Sequence, residues 1–238
     1  MKIEIWSDVM CPFCYIGKRR LEASLAKFEH RDKVEIVWKS FLLNPDLKTN
    51  PDQSTLDYLS ASKGWSKSQT EQILSQVVEM ANNEGLTYHM DKTVVANAKN
   101  AHRVLQFAKA LRLGDSMKER LFKAYFTEGA NIDDTATLQR LGEEVGLDRE
   151  DLKDVLASDQ FIEKVNGDIQ EAIQIGVRGV PFFVFDNKFA ISGAQAVETF
   201  DQTLTKAWEK YMESQQPLKF ESQEINNSCD LEGNCNND

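Results

Sequence analysis

"KIEIWSDVMCPFCYIGKRRLEASLAKF", residues 2–28, sets an alternating apolar stretch directly before two cysteines three positions apart and follows them with an amphipathic run. The first part, 2–8, predicts a strand; 15–29 predicts a helix with Leu21, Leu25 and Phe28 on one face. Outward from there, "VEIVWKSFLL" at 34–43 is again strand-like through its β-branched and aromatic residues. Strand, helix and strand at this spacing make a βαβ unit, with parallel strands and a right-handed crossover.

Cys11 falls where the first strand hands over to the helix, and Pro12 occupies a first-turn position where a missing N–H costs nothing. The helix then aims its unpaired amides and positive dipole end at the Cys11 sulfur, which favours a thiolate. Cys14 comes one turn later, closer to the helix body. These positions assign Cys11 as an exposed attacking thiolate and Cys14 as a shielded partner that resolves a mixed disulfide. A zinc site is the competing use of C-x-x-C, and it needs about four ligands. The other two cysteines, Cys229 and Cys235, have five residues between them, and His30, His89 and His102 are scattered, so the redox reading is preferred and no metal is expected.

From Asn44 the character changes. Pro45 and Pro51 punctuate a turn-rich segment, and helical periodicity then dominates, predicting helices near 54–63, 67–83, 95–112, 115–127, 135–145, 149–157 and 160–175. Ser66 with Gln69 and Asp148 with Asp151 read as capping signals; Gly85, Gly114, Gly129 and Gly146 read as helix stops. Strand character returns in "VPFFVF" at 180–185 and "FAISGA" at 189–194, joined through Asp186 and Asn187, which tolerate positive φ and suit a tight hairpin. Residues 196–212 predict a last helix. The segment 214–238 is polar and reads as disordered or loosely docked. The expected organisation is an α/β core at 1–48 and 159–213, split by an all-helical insertion at 49–158 and followed by a tail carrying the second cysteine pair.

A chain of 238 residues is long enough for a sizeable core without disulfides. Its net charge of −10 argues against nucleic acid or an anionic membrane surface as a partner, and no stretch approaches the roughly 20 apolar residues of a membrane span. The opening residues lack a signal-peptide pattern, so the expected compartment is the cytoplasm. Thiols are kept reduced there, which favours catalysis over a structural staple.

"SDVMCPFCYIG" near the N-terminus, a long helical insertion and "GVPFFVFDNKFAISGAQ" near residue 180 resemble the DsbA-type thioredoxin-fold oxidoreductases, most closely their FrnE-like branch, over roughly residues 1–212. The resemblance implies that Val180 and Pro181 lie opposite the cysteines, with Pro181 in cis and Val180 offering its backbone to an extended substrate. The alternative is that Pro181 starts an edge strand. DsbA carries a histidine between its cysteines where this chain has Pro12 and Phe13, which implies a less stabilised thiolate and a less oxidising pair. Some FrnE-like proteins carry an additional C-terminal cysteine pair, a pattern that Cys229 and Cys235 match; a relay between the two pairs is the functional expectation, and idle thiols the alternative.

The expected activity is thiol–disulfide exchange, with oxidation, reduction and isomerisation all compatible, on protein or peptide thiols and disulfides. No resident cofactor is expected beyond the redox-active disulfide; glutathione or a thioredoxin-type protein is the candidate reductant. Two rival readings stand beside it: a kappa-type glutathione transferase or 2-hydroxychromene-2-carboxylate isomerase, which share the split fold, and a non-catalytic peptide-binding module. His102 reads as a satisfied histidine between insertion and core. The tryptophans and phenylalanines at helical spacing read as core.

Overall fold

The computed structural model describes residues 1–215. Strand β1 (Lys2–Ser7) is buried from Ile3 to Ser7 because both of its faces are covered. It pairs in parallel with β2 (Glu35–Ser40), Ile5 opposite Trp38, and antiparallel with β5 (Phe182–Phe185). β6 (Phe189–Ser192) closes the sheet in the order β2-β1-β5-β6. The β5–β6 turn is made by Asp186 and Asn187, both at positive φ. Pro181 therefore precedes an inner strand, and the edge-strand alternative does not hold.

Helix α1 (Pro12–Lys27) begins directly after Cys11 and packs beside α9 (Val197–Ser214) against one sheet face. α8 (Ile162–Gln174) lies on the other, where Trp6 donates from its indole N–H to the Asp168 carbonyl. Between β2 and α8 run α2 (Thr55–Lys63), α3 (Lys67–Asn83), α4 (Lys99–Ala110), α5 (Gly114–Phe126), α6 (Thr135–Glu144) and α7 (Arg149–Ala157). A thioredoxin-like core interrupted by a helical insertion is the architecture that the resemblance implies.

The expectation that the insertion is all-helical needs one correction. β3 (Asn50–Ser54) and β4 (Val94–Val95) form a two-stranded antiparallel ribbon. The helix expected from 95 starts at Lys99 instead, because Asn97 is held in a turn: its amide side chain donates to the Leu47 carbonyl at 2.8 Å and its Oδ1 accepts from the Lys99 N–H. Gly114 is also not a helix stop. Arg112 takes the left-handed conformation there, and Gly114 opens α5, where a Cβ would lie 2.7 Å from the Lys109 side chain. Ser66 and Gln69 form the expected capping box, and Asp148 caps α7.

Chain direction fixes where the last helix delivers the tail. α9 starts near the Cys11 end of the sheet, where the Gly193 N–H meets the Pro181 carbonyl, and finishes beside the hairpin, where Lys188 reaches Ser214. Its 18 residues carry the chain about 27 Å from that end. Cys229 and Cys235 lie outside the described residues.

Candidate active site

Three segments meet at the C-terminal end of β1. The first is the β1–α1 turn. Asp8 accepts the Met10 N–H on Oδ1 and the Leu43 N–H on Oδ2, while the Cys11 N–H donates to the Asp8 carbonyl. Pro12 fits at the first helical position, and the Cys14 N–H closes the first turn onto the Cys11 carbonyl at 3.0 Å.

The second segment is the loop before β5, where the Val180–Pro181 peptide bond is cis. The Cys11 thiol donates to the Val180 carbonyl at 3.4 Å. Gly17, on the facing side of α1, permits this approach: a Cβ there would lie 3.1 Å from Pro181 Cγ and 3.0 Å from Phe183 Cζ. These distances are tighter than ordinary packing, so a side chain at this position would have to push Pro181 and Phe183 aside by a few tenths of an ångström.

The insertion supplies the third. The Tyr88 hydroxyl donates to the Pro12 carbonyl at 2.8 Å, tying the insertion to the cysteine turn. A groove of about 480 Å³ opens in front, with Cys11, Pro12, Phe13 and Val180 in one wall, and Tyr58, Trp65, Leu74 and Val77 among the residues of the other. Phe13, Leu43 and Trp65 stand exposed at its mouth. Trp65 thus lies outside the core, unlike Trp6, Trp38 and Trp208. Of the lining side chains, Lys63 alone carries a charge.

Both thiols are free, and Cys11 is buried rather than exposed, at 3 % of its surface, reached through the groove. Cys14, at 1 %, is not in the groove wall. The expected low thiol pKa of Cys11 is also corrected. Pairing with the Cys14 sulfur, burial and the Asp8 carboxylate together push it well above the ordinary thiol value, against the lowering effect of the Cys14 backbone N–H.

Behind the pair lies a polar group of which the sequence reading singled out His102 alone. Burial pushes the Asp8 carboxyl up, yet His102 and the two backbone N–H donors outweigh it and hold the group below the usual range. His102 Nε2 lies 3.4 Å from Asp8 Oδ1, while its Nδ1 has no partner, so this histidine is only half satisfied. Burial keeps the ring's pKa low, which makes it a neutral donor to Asp8. Lys118 on α5 is fully buried nearby, and burial brings its ammonium down to about 8. The available signal for Lys118 was its place on the apolar stripe with Leu121, Phe122 and Tyr125, where a lysine has no packing reason to be.

The family follows from comparison with known proteins. A family model described as a DSBA-like thioredoxin domain matches residues 2–205. The crystal structure of a probable DsbA oxidoreductase, SCO1869 from Streptomyces coelicolor, is similar with a TM-score of 0.85 and 36% identity, covering 99% of this chain and 98% of that one. The Bacillus subtilis protein YwbO is 27% identical over 210 residues, 87% of this chain and 98% of its own. A 2-hydroxychromene-2-carboxylate isomerase shares the fold, with a TM-score of 0.66 and 15% identity over 91% of this chain and all of that one. The chain belongs to the family of DSBA-like thioredoxin domains.

Proposed function

We propose that the chain is a thiol–disulfide oxidoreductase that exchanges electrons with protein or peptide substrates through Cys11 and Cys14. The observation that carries this reading is the asymmetry of the pair: Cys11 lies in the groove wall against the Val180 carbonyl, and Cys14 lies behind it. The Cys11 thiolate attacks one sulfur of a substrate disulfide, whose S–S bond breaks, and the departing sulfur takes a proton from solvent. Cys14 then attacks Cys11, forms the Cys11–Cys14 bond and releases the second substrate sulfur as a thiol. Run backward, the same steps install a disulfide, and paired reversals isomerise one.

The walls of the groove favour a cysteine flanked by aliphatic or aromatic residues, with an extended backbone beside Val180 and Pro181 and contacts to Pro12 and Phe13. The groove offers glutathione's three charges a single lysine, and Cys14 makes a bound thiol cofactor unnecessary, so the glutathione-dependent isomerase reading is set aside. In this proposal the protein works in the cytoplasm, where a thioredoxin-type dithiol or free glutathione returns it to the reduced state. Cys229 and Cys235 are proposed as a second dithiol that exchanges with the first. Because α9 leads away from the site, that relay requires the intervening chain to extend back over the length of the helix.

Reduction of insulin, followed by turbidity, is the test. Activity that disappears in Cys11→Ser and in Cys14→Ser supports the proposal; activity persisting in Cys11→Ser refutes it.

A further inference from the structure

The two faces of the sheet are covered unequally. Side chains alternate along β5, so Phe183 and Phe185 point to the α1 and α9 side, where both are fully buried and Phe183 meets the Phe200 ring edge-on at 4.9 Å. Phe182 and Val184 point the other way, together with Ala190, the β6 partner of Val184. On that side α8 packs over β2 and α4, held by the ion pair of Lys39 with Glu171 and by the Ser40 N–H donating to Asp168. Among the described residues, no helix lies across β5 and β6 there. Phe182 and Val184 are left half-buried, Ala190 is exposed, and Ile173 and Ile175 at the end of α8 are 59 % and 48 % exposed. The result is a cleft of about 410 Å³ whose apolar lining is Trp6, Ile175, Phe182, Val184, Phe189 and Ala190.

The rim of this cleft lies beside the point where the described chain ends. The Lys188 ammonium, on the rim, donates to the Lys210 carbonyl and to Ser214 Oγ, each at 3.4 Å, which puts the end of α9 against the hairpin. The sequence continues from Gln215 to Asp238, and its first apolar residues come at once: Pro217, Leu218 and Phe220. At about 3.3 Å per extended residue, Phe220 can lie about 16 Å from Gln215, enough to pass round the β6 edge into the cleft. Leu218 and Phe220 are two positions apart, the spacing that sets two side chains on one side of an extended segment. Farther on the sequence is polar except for Ile225, Leu231 and the two cysteines, so 217–220 is the stretch with most apolar surface to bury. We propose that residues 217–220 dock in the cleft between α8 and the outer side of β5 and β6, seating Leu218 and Phe220 against Ile175, Phe182 and Val184.

Docking there turns the chain round. The cleft extends from the hairpin to Trp6 and Phe182, which are register partners in β1 and β5, and Phe182 directly follows the cis-proline. A segment that enters beside Lys188 and lies along the cleft heads back toward the Cys11 end, against the displacement made by α9. Cys229 is nine positions beyond Phe220, a reach of up to about 30 Å. The seat thus supplies the return path that exchange between the two cysteine pairs needs. The docking stands on the cleft and the adjoining sequence, whereas its use in delivering Cys229 and Cys235 rests on the relay proposed above.

The full chain carrying p-benzoylphenylalanine in place of Phe220 provides the test. Irradiation followed by peptide mapping should join position 220 to the cleft, at Ile175, at Phe182 to Val184 or at Ala190, within one chain; mixed heavy and light isotopic protein identifies cross-links between chains. Ala190 is exposed on the edge strand, so Ala190→Glu leaves the sheet intact while setting a carboxylate in the cleft, and the cleft cross-link should fall about tenfold. Cross-links that go mainly to the Cys11 groove, to a second copy or to scattered surface positions overturn the docking, as does a cleft cross-link that Ala190→Glu leaves unchanged. The relay is read separately, in Cys14→Ser with either tail cysteine also replaced by serine, as a disulfide between Cys11 and the remaining tail cysteine in a glutathione redox buffer. Its formation should slow about tenfold with Ala190→Glu. A cleft cross-link without any such disulfide supports the docking and refutes the relay alone.

Discussion

The two walls around the cysteine pair are unlike in chemistry and in origin. In front is an apolar groove, with Cys11, Phe13 and Val180 facing Tyr58, Trp65 and Val77 and one lysine at its margin. Behind is a sealed polar cluster in which Asp8, His102 and Lys118 are all buried and two polar atoms lack partners. The front wall is suited to holding a substrate by area rather than by charge. The back wall is expensive to build, and groups buried at such cost are the ones whose chemistry has to be explained. The difference separates a face suited to meeting a substrate from one that bears on the ionisation of the sulfur pair.

That contrast can be broken from either side. The largest effect is expected between the walls: Cys14→Ser should reduce turnover in the insulin assay by about a thousandfold or more, while single attack by Cys11 continues and leaves a stable mixed disulfide. On the back wall, Lys118→Met should stabilise the fold at neutral pH by roughly 2–3 kcal/mol in chemical denaturation. The sign follows from the lowered pKa, since an unfolded lysine binds its proton more readily than the buried one. The variant's advantage is therefore full below about 8 and fades as pH rises toward the ordinary lysine value. A destabilised Lys118→Met would show instead that the lysine is held by packing.

On the front wall, Trp65→Ala should raise KM about tenfold for a peptide whose cysteine is flanked by aromatic residues, with kcat unchanged, because the contact is made equally in substrate and transition state. A fall in kcat alone would contradict the assignment of Trp65 to binding. The smallest effect is expected where the insertion meets α1. Burial pushes the Glu119 carboxyl up, but Arg19, Tyr15 and Lys18 outweigh it and draw it down to about 2. Glu119→Gln should cost about 1 kcal/mol at neutral pH. The stability that Glu119 contributes is complete above the ordinary glutamate value and lost as pH falls toward 2, so melting curves of parent and variant should converge in acid.

How much of this could be read in advance depends on how local each feature is. The strand, the cysteines and the helix after them are consecutive in sequence, and their periodicities of two and 3.6 are visible without tertiary information. The capping box at Ser66 and the hairpin at Asp186–Asn187 are likewise short-range devices. The β3–β4 ribbon was not visible, since "NPDQS" contains no strand-forming residue and owes its conformation to a partner forty or more positions away. Lys118 was hidden for a related reason: on a helix wheel it is one odd residue, and only the packing of α5 against β2 and the β1–α1 turn shows what it faces. The thiol pKa expected for Cys11 erred because helix position is local, whereas burial and the Cys14 sulfur, which dominate here, are properties of the folded site.

The most direct test of the division between the two sulfurs is mass spectrometry of adducts with a peptide disulfide carrying aromatic residues beside its cysteine. Cys14→Ser should accumulate one peptide per chain, bound at Cys11, and Cys11→Ser should accumulate none. A peptide bound at Cys14 in Cys11→Ser, at a rate comparable to that at Cys11 in the other variant, would contradict the account.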